Sequence, residues 1–158
     1  MVGKTTLGRI VAKNNGFEFI DTDDHIEKKN SMSINEIFEK KGEKFFRTEE
    51  KIEILKLLKK KKCVISLGGG SFMNKTIRDE ILKNAVSVWL DTNISILNKR
   101  SNWSAKRPLL NKRNSFSKIK KLYLERKNFY KLSNYKIICD KLPKKEIAKK
   151  IIKLYEKK

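Results

Sequence analysis

Little in this sequence can crosslink, chelate or span a membrane. It holds two cysteines and one histidine in 158 residues. Cys63 and Cys139 both sit in apolar, strand-like runs and read as buried thiols. Neither a disulfide framework nor a metal site is therefore expected, and a reducing cytoplasm fits. No apolar run approaches the roughly 18 residues of a membrane helix, and the N-terminus has no signal-peptide apolar core. Repeats and linkers are missing too, which leaves a single domain over 1–158, large enough for a core. Acidic residues are few: 18 Asp and Glu stand against 39 Lys and Arg, for a formal net charge of +21. That balance suits nucleic-acid binding, but equally a lysine-biased composition. The charge is scattered over helices, with no aromatic stacking motif between. Arginine is scarce as well, since 32 of the 39 basic residues are lysine. Where lysine is the default cation, an arginine marks a position that needs a planar, bidentate fork. Arg9, Arg47, Arg78, Arg100, Arg107, Arg113 and Arg126 are thus the candidates for anion contacts.

What is present begins with Gly3-Lys4-Thr5-Thr6. These residues match the back half of a P-loop, G-x-x-x-x-G-K-[ST]. There, glycine amides wrap phosphates, the lysine reaches the β- and γ-phosphates, and the hydroxyl meets Mg²⁺. Leu7, Ile10 and Val11 follow at helical spacing, which puts a helix N-terminus behind the turn, a ready anion site. Read alone, the four residues fit a frayed polar terminus as well.

The chain then alternates. Phe17–Asp21 reads as a strand ending in the carboxylate cluster Asp21-Thr22-Asp23-Asp24. Ser33-Ile34-Asn35-Glu36 is a capping-box start with Gly42 as the stop. A longer helix over about 43–62 has an apolar face of Phe45, Phe46, Ile52, Leu55 and Leu58, and ends in Lys59 to Lys62. Cys63–Leu67 reads as a buried strand running into Gly68-Gly69-Gly70. Asn74 caps a helix to about 84. A strand follows over 86–90, ending at Asp91, and Thr92 or Asn93 caps a helix to about 100. The stretch 101–114 is a polar, basic loop. A helix over 115–131, a strand over 135–139 and an amphipathic helix opened by Pro143 complete the chain. Strands alternating with helices predict an α/β fold with a parallel sheet.

Several constellations carry chemistry. Three glycines directly after a strand suit a ligand that approaches the backbone and an anion held by its amides, or a strained turn into the next helix. Asp21 and Asp23, two apart, share a side if the segment is extended; a solvated turn or a helix N-cap is the alternative. One suits Mg²⁺ through water and the other a substrate hydroxyl proton. Asp24 reads as a first-turn helix residue and His25 as a surface or helix residue. Arg107-Pro108 in the basic loop fits a lid arginine closing over phosphates, or a solvated loop residue. Arg47 fits a carboxylate contact steadied by Glu49 or Glu50, or a plain i,i+3 pair. Arg126 and Tyr130, at i,i+4, fit ordinary helix packing as well.

The ordered set of G-K-T-T-L-G-R at 3–9, D-T-D at 21–23, S-I-x-E-I-F at 33–38, G-E-x-x-F-R at 42–47, L-G-G-G at 67–70, R-P-L-L at 107–110 and R-x-x-x-Y at 126–130 resembles shikimate kinase over nearly the whole chain. Gluconate and adenylate kinases share the P-loop and a lid but not this set. The resemblance implies an ATP-dependent phosphorylation of the 3-hydroxyl of shikimate, on the route to chorismate and the aromatic amino acids. It implies ATP and Mg²⁺ as cofactors and a cytoplasmic monomer. By position, Gly3, Lys4, Thr5 and Thr6 hold the nucleotide, with Thr5 on Mg²⁺ and Asp21 assisting through water. Asp23 contacts the shikimate hydroxyls and is the base, and Arg47 and Arg126 clamp the carboxylate. The Gly68, Gly69 and Gly70 amides line the acceptor site. Arg107 is the lid arginine in a lid of about 101–114, and Arg100 meets the adenine. The implied fold is a three-layer P-loop kinase sandwich with a parallel sheet of order 2-3-1-4-5 and helices on both faces.

Two departures from the family pattern bear on these expectations. The family's first strand and the opening P-loop glycines are absent, and Met1 stands where a glycine is usual. Four strands are counted, and the missing one is central. The chain as written is thus expected to be a mis-assigned start or a fragment, marginal in fold and poor in activity. The segment Asp140-Lys141-Leu142-Pro143 is also shorter than the family's adenine loop. A catalytically inactive relic of the kinase and a basic nucleic-acid-binding protein on the same scaffold are the competing functions.

Overall fold

The computed structural model describes residues 2–101 and 115–157. The lid segment beyond residue 101, with Arg107 and Arg113, lies outside the described residues, as does the side chain of Arg100. Helices and short parallel strands alternate as expected. α1 (Lys4–Asn15) leads to β1 (Glu18–Asp21), α2 (Thr22–Asn30), α3 (Ile34–Leu57) and β2 (Cys63–Ser66). After a 3₁₀ turn at Ser71–Met73 come α4 (Lys75–Asn84), β3 (Val88–Asp91), α5 (Ile94–Ser101), α6 (Ser115–Tyr130), β4 (Tyr135–Ile138) and α7 (Lys144–Tyr155).

The strands form two parallel pairs. β1 lies on β2 in the register Glu18 to Cys63 through Asp21 to Ser66. β3 lies on β4 from Val88 with Tyr135 to Asp91 with Ile138. No ladder joins β2 to β3 among the described residues. An order of 2-3-1-4-5 without its first strand leaves these two pairs, 2-3 and 4-5. Helix α1 ties the pairs together: it packs on β1, β2 and α7, and its Leu7 joins Ile137, Cys139 and Ile147 in one core cluster. A second cluster, Ile54, Phe72, Ile77 and Ile81, lies under α3 and α4. The third, Ile26, Ile37 and Phe46, joins α2 to α3. Among the described residues no helix is long and apolar enough to cross a membrane.

Local signals mostly decide the helix ends. Ser33 and Glu36 form the reciprocal capping box, and Asn74 accepts from the Ile77 amide. Asn93, rather than Thr92, caps α5 by accepting from the Ser95 amide at 2.9 Å. Gly42 stops the first helical segment as expected: its φ of 80° and ψ of 165° are not helical, and a second segment of α3 starts directly after it.

Four expectations need correction. The second half of α3 stops at Leu57, so Lys59 to Lys62 lie beyond it. Its buried face is only partly the predicted one: Phe46 is buried and Phe45 and Leu58 pack against core clusters, but Ile52 is 40% exposed, while Glu50, Glu53, Ile54 and Leu57 are buried. Two glutamates turn inward because each meets cations or a hydroxyl there, which offsets the cost of burying a carboxylate. Strand β2 is only partly covered up to Ser66, and Cys63 at its start is half-buried, unlike the buried Cys139. Finally, Asp23 is not in an extended segment. Asp21 ends β1 and caps α2, accepting from the Asp23 amide at 3.1 Å, so Thr22 onward is helical.

Candidate active site

The predicted groups collect where β1 and β2 end, the edge at which open parallel sheets bind ligands. Gly3 precedes α1 in a left-handed conformation (φ 89°), which lets the chain turn directly into the helix. The amides of Lys4, Thr5 and Thr6 thus open an α-helix, where backbone donors and the dipole favour an anion. Thr5 Oγ1 donates to Asp21 Oδ2 at 2.8 Å, across 16 positions of sequence. These two residues supply hard oxygen donors side by side, the ligand class that Mg²⁺ prefers. The donor set therefore fits that ion. Thr6 points outward on α1.

The glycine run carries the second half of the site. A Cβ on Gly68 would stand 2.9 Å from Asp23 Oδ1 and 2.9 Å from Glu50 Oε1. One on Gly69 would stand 2.6 Å from Arg126 Nη1, and one on Gly70 2.9 Å from Arg47 Nη1. Three successive glycines thus each abut a different charged group, and a side chain at any of them would displace it. The structure brings Asp23 from α2, Arg47 from α3 and Arg126 from α6 to one four-residue loop.

Around this loop lie Glu50, expected beside Arg47, and long-range contacts that sequence reasoning missed. Thr22, fully buried, donates to the Ser66 carbonyl at 3.2 Å and accepts from the Gly68 amide at 3.0 Å. Glu50, 2% exposed, accepts from Ser71 Oγ at 2.6 Å and from Arg47 Nη1 at 2.7 Å. The Tyr130 hydroxyl donates to the Gly69 carbonyl at 2.5 Å. Their partners are 21 to 61 positions away, except for Arg47. The only sequence signals were the D-T-D and R-x-x-x-Y strings and a glutamate three places after Arg47.

Electrostatics keep Arg47 charged. Burial acts to lower the Arg47 pKa, but Glu50 and then Glu43 more than offset it and leave it raised. Glu43 holds the Nε and Nη2 edge of Arg47 only loosely, at 3.3 Å for each. Arg126 Nε is buried without a hydrogen-bond partner among the described residues. Such a donor is costly to leave unpaired, and it is the kind of group a bound anion satisfies.

The other described arginines behave differently. Arg78 donates from Nη1 to the carbonyls of Phe72 and Met73 at 3.0 and 3.1 Å, steadying the turn after the glycines. Arg9 lies over the Phe19 ring at 5.5 Å. Scarcity of arginine therefore selected structural forks as well as candidate ligand contacts.

A family model described as shikimate kinase matches residues 1–156. Among curated proteins, a shikimate kinase of Thermoanaerobacter pseudethanolicus is 39% identical over 153 residues, covering 97% of this chain and 90% of that protein. One from Ruegeria pomeroyi is 44% identical over 107 residues, which is 68% of this chain and 55% of that protein. The chain spans about half the length of several curated relatives it matches. Among solved structures, the shikimate kinase from Acinetobacter baumannii in complex with shikimate superposes with a TM-score of 0.93 at 33% identity, over 99% of this chain and 88% of that one. That from Aquifex aeolicus gives 0.85 at 32% identity, over 98% and 90%.

Proposed function

The chain belongs to the shikimate kinase family, and from that premise we propose that it transfers the γ-phosphoryl group of ATP to the 3-hydroxyl of shikimate, giving shikimate 3-phosphate for aromatic amino acid synthesis. The observation that carries this reading is the glycine run. Asp23, Arg126 and Arg47 abut Gly68, Gly69 and Gly70 in turn. One carboxylate and two guanidinium groups around a loop without side chains match an acceptor that has a hydroxyl and a carboxylate.

In this reading Arg47 and Arg126 hold the shikimate carboxylate, since a planar fork matches a planar acid. Glu50 keeps Arg47 oriented from behind. The clamp sets the ring so that the 3-hydroxyl faces Asp23, which accepts its proton as the oxygen attacks phosphorus. Lys4 and the amides that open α1 neutralise and orient the phosphates, and Thr5 with Asp21 would hold Mg²⁺. When bound, that ion supplies charge neutralisation on the phosphates. Phosphoryl transfer needs little else from a protein than position and charge. Arg107 and the lid segment of about 101–114 are assigned to closure over the phosphates, and Arg100 to the adenine, on family position. We take the protein as a cytoplasmic monomer, with no role for nucleic acid.

The test is ADP release by the full-length protein, followed with a coupled assay in the presence and absence of shikimate. Turnover that requires both shikimate and Mg²⁺ supports the proposal. A folded protein that binds ATP but releases no ADP on adding shikimate refutes it, and points to the inactive relic.

A further inference from the structure

Tyr130 lies one turn beyond Arg126 on α6 and reaches the same glycine. Its hydroxyl donates to the Gly69 carbonyl at 2.5 Å across 61 positions, while Arg126 Nη1 stands where a Gly69 side chain would begin. The tyrosine ring is held independently of that bond. It packs on the Ile54, Phe72, Ile77 and Ile81 cluster. Its centroid is 6.4 Å from that of Phe72 and 6.1 Å from that of Trp89. An aromatic side chain has few torsions, so a ring fixed in this way fixes its hydroxyl.

The acceptor is the opposite case. The Gly69–Gly70 peptide joins two residues without Cβ, and glycine backbone adopts several conformations at similar energy. No described peptide bond is cis, and in a trans peptide the C=O and the following N–H point in opposite directions. Anchoring the Gly69 carbonyl on α6 therefore turns the Gly70 N–H away from α6. Without the anchor that peptide is free to rotate.

We infer that Tyr130 is a positioning residue of the acceptor site. By holding the Gly69 carbonyl it selects the peptide orientation that presents the Gly70 amide to shikimate. The inference rests on the acceptor assignment made above for Gly68 to Gly70.

Tyr130→Phe keeps the ring and deletes the hydroxyl. In the full-length protein it is expected to weaken shikimate binding about three- to tenfold, the span of one net intramolecular hydrogen bond, with ATP affinity unchanged. Ile81→Val, in the same core cluster, is the control for a loss of stability alone: it lowers Tm and leaves both affinities as they were. In the ligand-free protein, the Gly70 amide resonance should shift and exchange faster in Tyr130→Phe but not in Ile81→Val. An unmoved Gly70 amide overturns the inference. So does a shifted amide with shikimate affinity unchanged, because the peptide is then not a contact. A parent protein that binds no shikimate overturns the acceptor assignment and this inference with it, and that failure is seen in the parent before any variant is compared.

Discussion

The Thr5 hydroxyl donates to Asp21 Oδ2 at 2.8 Å, joining the first turn of α1 to the last residue of β1. The bond sets the start of α1, the candidate phosphate site, against the end of β1, where α2 with Asp23 begins. Asp21 does a second job with its other oxygen, capping α2 through the Asp23 amide at 3.1 Å. A single carboxylate thus fixes both the candidate metal site and the helix that bears the candidate base.

Asp21→Asn should uncouple these jobs. An amide oxygen still caps α2, because asparagine is as good a cap as aspartate, but the anionic partner of Thr5 is lost. The Mg²⁺ concentration for half-maximal turnover should rise about 10–100-fold, the usual cost of removing a group that supports a metal site. A Mg²⁺ titration of turnover checks this, and an unchanged midpoint removes Asp21 from the metal site.

Asp23→Asn should bind nucleotide normally and lose most turnover, about 10²–10⁴-fold, as expected for a general base. Nucleotide affinity measured by titration, set beside turnover, separates the two effects. Turnover within about threefold of the parent contradicts the role.

Arg47→Lys and Arg126→Lys should each lose shikimate affinity by roughly 1.5–3 kcal/mol, the worth of a hydrogen bond to a charged group. An ammonium keeps the charge but not the fork. ATP affinity should stay the same in both. Calorimetric titration of shikimate decides, and unchanged binding in either variant takes that residue out of the clamp.

Away from the site, Glu53 gives a pH signature. Burial pushes its pKa up, but hydrogen bonds from Lys29, Lys56 and His25 outweigh this and bring it from 4.5 down to about 2. A folded-state pKa below the unfolded one adds stability that is present above about pH 4.5 and lost as pH falls towards 2. Glu53→Gln should cost roughly 1–3 kcal/mol at neutral pH and flatten the loss of stability between pH 5 and 2. Urea midpoints across that range measure it, and parallel curves for parent and variant contradict it.

The parts of this molecule legible in its sequence are those governed by short-range physics. Ser33 with Glu36, Asn74 with Ile77 and Asn93 with Ser95 are caps made within three residues. The strands were legible as apolar runs, though each is only four residues long. Asp-Thr-Asp-Asp suits both a strand edge and a helix start. What settles it is the Asp21 cap. The inward turn of α3 was hidden because Glu50 and Glu53 look like surface residues until Ser71, Lys29 and His25 arrive from elsewhere. The contacts of Tyr130 and Thr22 escaped for the same reason, since their partners at Gly69 and Gly68 lie 61 and 46 positions away. Motif order singled out the candidate site residues, and only the fold shows what holds them.

The most direct test of the proposed chemistry follows the phosphorus itself. The full-length protein is incubated with ATP, Mg²⁺ and shikimate, and the mixture is read by ³¹P NMR. The account predicts loss of the γ-phosphate signal with equal gain of one phosphomonoester signal, coupled to the proton on C3 of the shikimate ring, and no inorganic phosphate beyond background. A γ-phosphate that persists, or that appears only as inorganic phosphate, would contradict it.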